Sequence, residues 1–298
     1  MNQYAEAEDR IVFGIDAARR RFELPVDNGM VRPAFILSAG WRSGSTLVQR
    51  MLTSENRLMW GEPFAQSAIL RNAGAAWAPF SDEWPDRRHV VSNVDASGDL
   101  AARWIANFYP DPADLLLAQR AYLDALFAAP AANLGYSLWG LKGVRLGGGV
   151  AHFLQLVYSE ARFVFLVRNP YDAYRSYLTK ITNGGNRLGW HYNWPDDRVA
   201  SPEHFGRIWR GLADSMQRHG SRVRAQVIRY EDLSKPETTT RLEQIGLSVV
   251  QGQLEQKIGS SYSDGYRERM LSAHEVQAVR SVTGAVAEDF AYFGPSRS

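Results

Sequence analysis

The chain of 298 residues has no cysteine. That excludes disulfides, thiolate metal sites and a cysteine nucleophile, and it suits a reducing cytoplasm, where the protein is expected to reside. Any run of about 18 apolar residues is also missing, so no segment is predicted to cross a membrane. Residues 1–21 mix Glu, Asp and Arg without the apolar stretch of a secretory signal. An excess of one charge is lacking too: 34 basic against 32 acidic side chains leave a net charge of +2. Beyond local patches, there is no electrostatic case for nucleic acid as a partner. His152, His191 and His274 stand singly, without ligand spacing, and no metal site is expected.

What is present reads as a globular protein able to bury a core, with 45% hydrophobic and 22% charged residues. Its most informative stretch is Ala34 to Leu52. A short apolar run, Ala34 to Ser38, ends at Gly40, and a helical pattern with Leu47, Val48, Met51 and Leu52 on one face begins after Ser45 and Thr46. A strand, a small-residue turn and a helix leave backbone N–H groups converging at the positive end of a helix dipole. Such a spot suits a phosphate or a sulfate. Gly44 allows close approach, Ser43, Ser45 and Thr46 add hydroxyls, and Arg42 brings a planar cationic fork. The nucleotide-kinase pattern needs Gly-Lys-Ser/Thr at this point, and here Gly44 is followed by Ser45.

Along the chain, residues 1–32 read as an irregular or helical arm, and 58–60 as a second strand. Residues 71–110, rich in Trp, Pro, Asp and Arg, read as an insertion or lid. Asp111 caps a helix whose apolar face holds Leu115, Leu116, Tyr122, Leu123, Leu126 and Phe127. A short strand over 137–140 leads into Leu141 and Lys142, Gly147 to Gly149 read as a flexible turn, and a helix is expected over 150–158. Residues 162–167 read as a strand, continuously apolar after Arg162, as a strand buried on both faces should be. Further elements are an irregular stretch over 183–200, a Ser201-capped helix ending at Gly220, a strand over 224–230, a helix opened by a capping box at Ser234 to Glu237, and a last helix over 272–290. Strands alternating with helices predict an α/β fold with a central parallel sheet covered on both faces. Ligands of such sheets bind beyond the strands' C-terminal ends, where Arg42, Lys142, Arg168 and Tyr230 fall.

Arg168 follows the buried strand, and Ser176 lies eight residues on; Ser176 and Lys180, four apart, share a helix face. Together they suit a second phosphate. With these two motifs in order, the sequence resembles the sulfotransferase family, whose donor is 3′-phosphoadenosine 5′-phosphosulfate (PAPS) and whose product is adenosine 3′,5′-bisphosphate (PAP). Arg42-Ser43-Gly44-Ser45-Thr46 resembles the family's 5′-phosphosulfate loop, and Arg168 to Asp172 with Ser176 its 3′-phosphate motif. Tyr230-Glu231-Asp232-Leu233 resembles the segment whose tyrosine lies near the adenine, and Gly265-Tyr266-Arg267 a short Gly-aromatic-Arg segment of bacterial members, which would make Arg267 a donor contact. The resemblance covers residues 34–64 and 136–290. It implies one P-loop-like α/β/α domain over 1–298, with the phosphosulfate loop and base in 33–64, a lid or helical insertion in 71–135, and the 3′-phosphate part in 136–290.

The small-molecule branch of that family carries Lys-x-His with a histidine base, whereas here Lys142-Gly143-Val144 has valine in its place. The carbohydrate and protein-tyrosine branches use a glutamate about twenty residues beyond the loop arginine, a placement that Glu62 matches. The resemblance therefore implies Glu62 as the base, Arg42 as the group stabilising the leaving phosphate, and Lys142 at the transferring sulfuryl group or the acceptor, with no metal needed. The acceptor is expected to be a hydroxyl, of a carbohydrate or glycolipid. Trp77, Trp84, Trp190, Tyr192 and Trp194, in the two irregular stretches, offer stacking surface for it or pack the lids on the body. Two other readings stay open on sequence alone: a P-loop small-molecule kinase, which lacks an evident pair of magnesium-binding acids here, and a non-catalytic nucleotide-binding protein on the same fold.

Overall fold

The structure, a computed structural model, describes residues 3–27, 29–62, 64, 68–91, 108–182, 199–250, 252–253 and 270–296. Its centre is β1 (Ala34–Ser38), buried at every position. The run Ala-Phe-Ile-Leu-Ser has no polar face to offer water, so it pairs on both sides. On one side lies β3 (Leu138–Val144) and on the other β4 (Arg162–Val167), with Ile36 opposite both Lys142 and Val164. Outside these run β2 (Arg57–Trp60) and β5 (Ala225–Arg229), so the parallel sheet has the order β2-β3-β1-β4-β5.

The alternating faces of the strands build two cores. Ala34, Ile36, Val164, Leu166 and Ile228 pack against Val48, Met51 and Leu52 of α2 (Ser45–Leu52) and Leu242 of a later helix, Pro236–Gln244. Phe35, Leu37, Trp139, Leu141, Phe163 and Phe165 face the opposite layer, which includes α1 (Gln3–Arg21) and, after β3, the helix Gly148–Val157. Phe35 stacks on Phe163 at 5.4 Å and meets Trp139 edge-on at 5.8 Å. The expected three-layer α/β/α arrangement is what forms. Between the first two strands of the sheet and β3 come α3 (Ile69–Ala75), α4 (Pro112–Leu123), which runs into one π-helical turn, and α5 (Ala129–Asn133). The Gly148–Val157 helix is then α6, followed by α7 (Pro170–Thr182), α8 (Pro202–His219), α9 (Pro236–Gln244) and α10 (Ala273–Asp289).

Several expectations need correction. The N-terminal segment is no arm: α1 buries Ile11, Val12 and Ile15 and packs on α6 and α8. Its buried Glu8 carboxylate accepts from the N–H groups of Gly147 (3.2 Å) and Val150 (3.0 Å), capping α6 from a distant part of the chain. Gly147 to Gly149 are consequently no flexible turn. A Cβ on Gly148 would stand 2.4 Å from the Ser215 carbonyl oxygen, and one on Gly149 2.2 Å from that of Glu8, so glycine is needed for the approach of α1 and α8. Ser234 to Glu237 makes no capping box, because Lys235 is the N-cap and no side chain bonds there; the capping box found is Ser272 with Glu275, at the start of α10. Tyr122, placed on the apolar face of α4, is exposed. Trp77 is fully buried in the main core, its indole N–H donating to Gln119 at 2.8 Å, so it is body and not lid. Trp190, His191, Tyr192 and Trp194 lie outside the described residues.

The layer opposite α2 also buries His152 of α6, whose Nε2 lies 3.3 Å from Asp16 Oδ1. Burial pushes its pKa down to about 4, helped by the charge of Arg19 and opposed by Asp16. In the unfolded chain the imidazole takes up a proton near pH 6.5, whereas the folded protein resists until about pH 4. Unfolding therefore binds a proton in that window, and this group's contribution, about 3 kcal/mol, is lost as the pH falls through it. Thermal unfolding of the parent protein and His152→Gln between pH 7 and 4 should show a smaller acid-side fall for the variant. Parallel curves would show that the histidine does not titrate this way.

Candidate active site

Beyond β1 the chain must turn sharply to enter α2, and it does so through left-handed backbone at Gly40 (φ 106°), Arg42 (φ 59°) and Gly44 (φ 87°). Gly44 is the N-cap and brings no side chain to cap the helix. The N–H groups of Ser43, Gly44, Ser45 and Thr46 donate to no acceptor among the described residues. The Ser43 hydroxyl, on a residue only 3% exposed, is likewise without a partner among them. A concave set of donors of this kind fits an anion with several acceptor oxygens. Glycine at 44 is also a steric necessity, since a Cβ there would stand 2.2 Å from the ring of Tyr230.

The two motifs that the sequence offers as anion sites, far apart along the chain, form one assembly. Arg42 Nε donates to Ser176 Oγ at 2.9 Å, and Arg168 returns the contact by donating to the Arg42 carbonyl at 2.8 Å. The Arg168 guanidinium lies 4.3 Å over the ring of Tyr230, which in turn covers Gly44. Lys142 stands two residues inside β3, not at its end. Its Nζ donates to Glu62 Oε1 at 2.8 Å and to Thr46 Oγ1 at 3.4 Å, joining the loop after β2 to the first turn of α2. The Glu62 side chain keeps 31% exposure. Arg42, Ser43, Gly44, Ser45, Thr46, Glu62, Lys142, Arg168, Ser176 and Tyr230 thus gather at the C-terminal edge of the sheet. The Lys180 side chain and Arg267 lie outside what the structure describes.

One contributor escaped the sequence reading. Arg145, directly after β3, is 1% exposed and holds its guanidinium 4.7 Å over Trp41, the residue before Arg42. Its N–H donates to the Ser38 carbonyl and its own carbonyl accepts from Arg71 at 2.8 Å, so it braces the loop from behind. Tyr177 and Phe205 pack on other parts of the same indole. Like Arg168, Arg145 is an arginine just past a buried strand, which is the one signal that could have marked it.

The family model described as "Sulfotransferase family" matches residues 33–248, more than half of the chain. The chain belongs to the sulfotransferase family. The matched stretch of this sulfotransferase contains Arg42, Glu62, Lys142, Arg168, Ser176 and Tyr230, and it ends before Arg267 and α10. No curated protein matches the chain. Solved structures similar to it include a sulfotransferase from Alicyclobacillus acidocaldarius, 14% identical, covering 85% of this chain and 96% of that one with a TM-score of 0.40. Another is the sulfotransferase STF9 from Mycobacterium avium, 15% identical, covering 98% of this chain and 84% of that one with a TM-score of 0.43.

Proposed function

We propose that this protein moves a sulfuryl group from PAPS to a hydroxyl of a carbohydrate or glycolipid acceptor. The observation that carries the reading is the mutual contact of Arg42 with Ser176 and of Arg168 with the Arg42 carbonyl, which brings together the two motifs read as phosphate sites. The open N–H groups and the buried Ser43 hydroxyl suit the 5′ end, and Arg168 with Ser176 the 3′-phosphate. Tyr230, packed against Gly44 with the Arg168 guanidinium 4.3 Å over its ring, suits a contact with the adenine. The donor supplies an activated sulfuryl group and a phosphate leaving group.

Glu62 accepts the acceptor's proton as the new oxygen–sulfur bond forms, and Arg42 with the loop N–H groups holds the charge that collects on the departing phosphate oxygen. Lys142 fixes Glu62 and sits against the loop through Thr46, so it holds the base beside the transferring group. Phe64, 65% exposed and two residues beyond Glu62, offers an apolar surface of the kind on which sugar rings stack.

Calorimetric titration tests the donor reading. Without metal, adenosine 3′,5′-bisphosphate should bind at least about tenfold more tightly than AMP, because a phosphate paired with arginine gains charge-assisted hydrogen bonds. Arg168→Ala should remove most of that difference. Equal binding of the two nucleotides, or a preference for ATP with magnesium, would overturn the reading.

A further inference from the structure

Parallel pairing of β4 with β5 ends at Val167 opposite Arg229. Arg168 and Tyr230, the next residue on each strand, therefore have no sheet ladder to keep them in register, yet the guanidinium lies 4.3 Å over the ring. Something beyond the ladder sets that distance. The Glu231 carboxylate bridges the two chain segments: Oε1 accepts from the Asn169 N–H at 2.9 Å, and Oε2 accepts from the Tyr292 hydroxyl at 2.6 Å. Tyr292 belongs to the segment that follows α10, outside the stretch matched by the family.

That segment holds on at further points. Asn169 Nδ2 donates to the Gly294 carbonyl at 2.8 Å, and the Ser296 hydroxyl meets the Asp172 carboxylate. The buried Tyr292 ring lies 4.8 Å under the Arg229 guanidinium and meets Trp209 edge-on, while the Trp209 indole N–H donates to the Arg168 carbonyl at 2.9 Å. Arg168 is thus held through its own carbonyl and through its neighbour Asn169, and Tyr230 through its neighbours Arg229 and Glu231. Burial beside Glu231 raises the Tyr292 pKa, which keeps the phenol a donor across the working range.

We infer that residues 290–296 form a clasp that positions Arg168 and Tyr230 for the 3′-phosphorylated nucleoside, with Tyr292, Glu231 and Asn169 as positioning residues. The inference rests on the donor reading proposed above. Its test is titration of Tyr292→Phe, which keeps the ring and removes only the hydroxyl, and of a chain stopped after Phe293, which removes the Gly294 and Ser296 contacts. Well below the unfolding temperature, affinity for adenosine 3′,5′-bisphosphate should fall about five- to tenfold in each, as expected when a hydrogen bond to a charged group is lost. AMP should lose less, and in turnover the donor KM should rise while kcat at saturation stays near the parent value.

A segment with a purely structural role would lower the unfolding temperature and leave both affinities of the folded protein unchanged. Bisphosphate affinity within twofold of the parent in both variants therefore overturns the inference. Should the parent itself bind the two nucleotides alike, it is the donor reading that fails, and the clasp loses its purpose with it.

Discussion

Glu62→Gln is expected to lower kcat by about 10²- to 10⁴-fold, the usual worth of a general base, while binding of adenosine 3′,5′-bisphosphate changes little. Glutamine is nearly isosteric and keeps an oxygen for Lys142, whose Nζ now lies 2.8 Å from the carboxylate. The loop and the first turn of α2 should therefore stay in place, and what is lost is the capacity to take a proton from the acceptor hydroxyl. Steady-state rates with a hydroxylated glycan acceptor, measured beside nucleotide affinity, separate the two effects. A variant that turns over at the parental rate would show that Glu62 serves only as the partner of Lys142.

Arg42→Ala should reduce kcat/KM by about 10²- to 10³-fold, in the range found when one preorganised donor to a developing oxyanion is removed. The backbone contact from Arg168 goes to the Arg42 carbonyl and survives the substitution, so the deficit belongs to the guanidinium. Lysine is not expected to rescue it. The Nε that binds Ser176 is part of a planar fork, and a single ammonium cannot hold that hydroxyl and also face the leaving phosphate. Kinetics of both variants, with unfolding temperatures to confirm the fold, decide the matter. Retention of a tenth or more of kcat/KM by Arg42→Ala would remove Arg42 from the role proposed for it.

Much of this arrangement was legible because it is local. The apolar runs Ala34 to Leu37 and Phe163 to Val167 have no polar face, so burial on both sides follows from composition, and a helix start beside glycine and hydroxyls leaves its N–H groups open, as the structure has it. The contact of Lys142 with Glu62 was not legible in the same way. It depends on β2 lying beside β3, and strand order is a property of the whole sheet that no window of sequence contains. Gly147 to Gly149 misled for a related reason: three glycines read locally as slack, whereas Gly148 and Gly149 are required by the backbone of α8 and α1. Residues 1–32 read as an irregular or helical arm because their partners lie far off in the sequence. Glu8 is buried and consumed in capping α6, and the partly exposed Asp9 pairs with Arg218 and His219, so part of the charge of α1 faces its neighbouring helices.

The strand order has an implication for how such a protein can change. Glu62, in the loop after β2, and Lys142, within β3, lie on one flank of β1, and Arg168 and Tyr230, the residues directly after β4 and β5, on the other, with the Arg42 loop at the divide. On the roles proposed here, substitutions that alter which hydroxyl is modified can accumulate on one flank without touching the grip on the nucleotide. A lineage could then exchange acceptors while inheriting its donor unchanged, and an engineer seeking a new acceptor would confine a library to the β2 side.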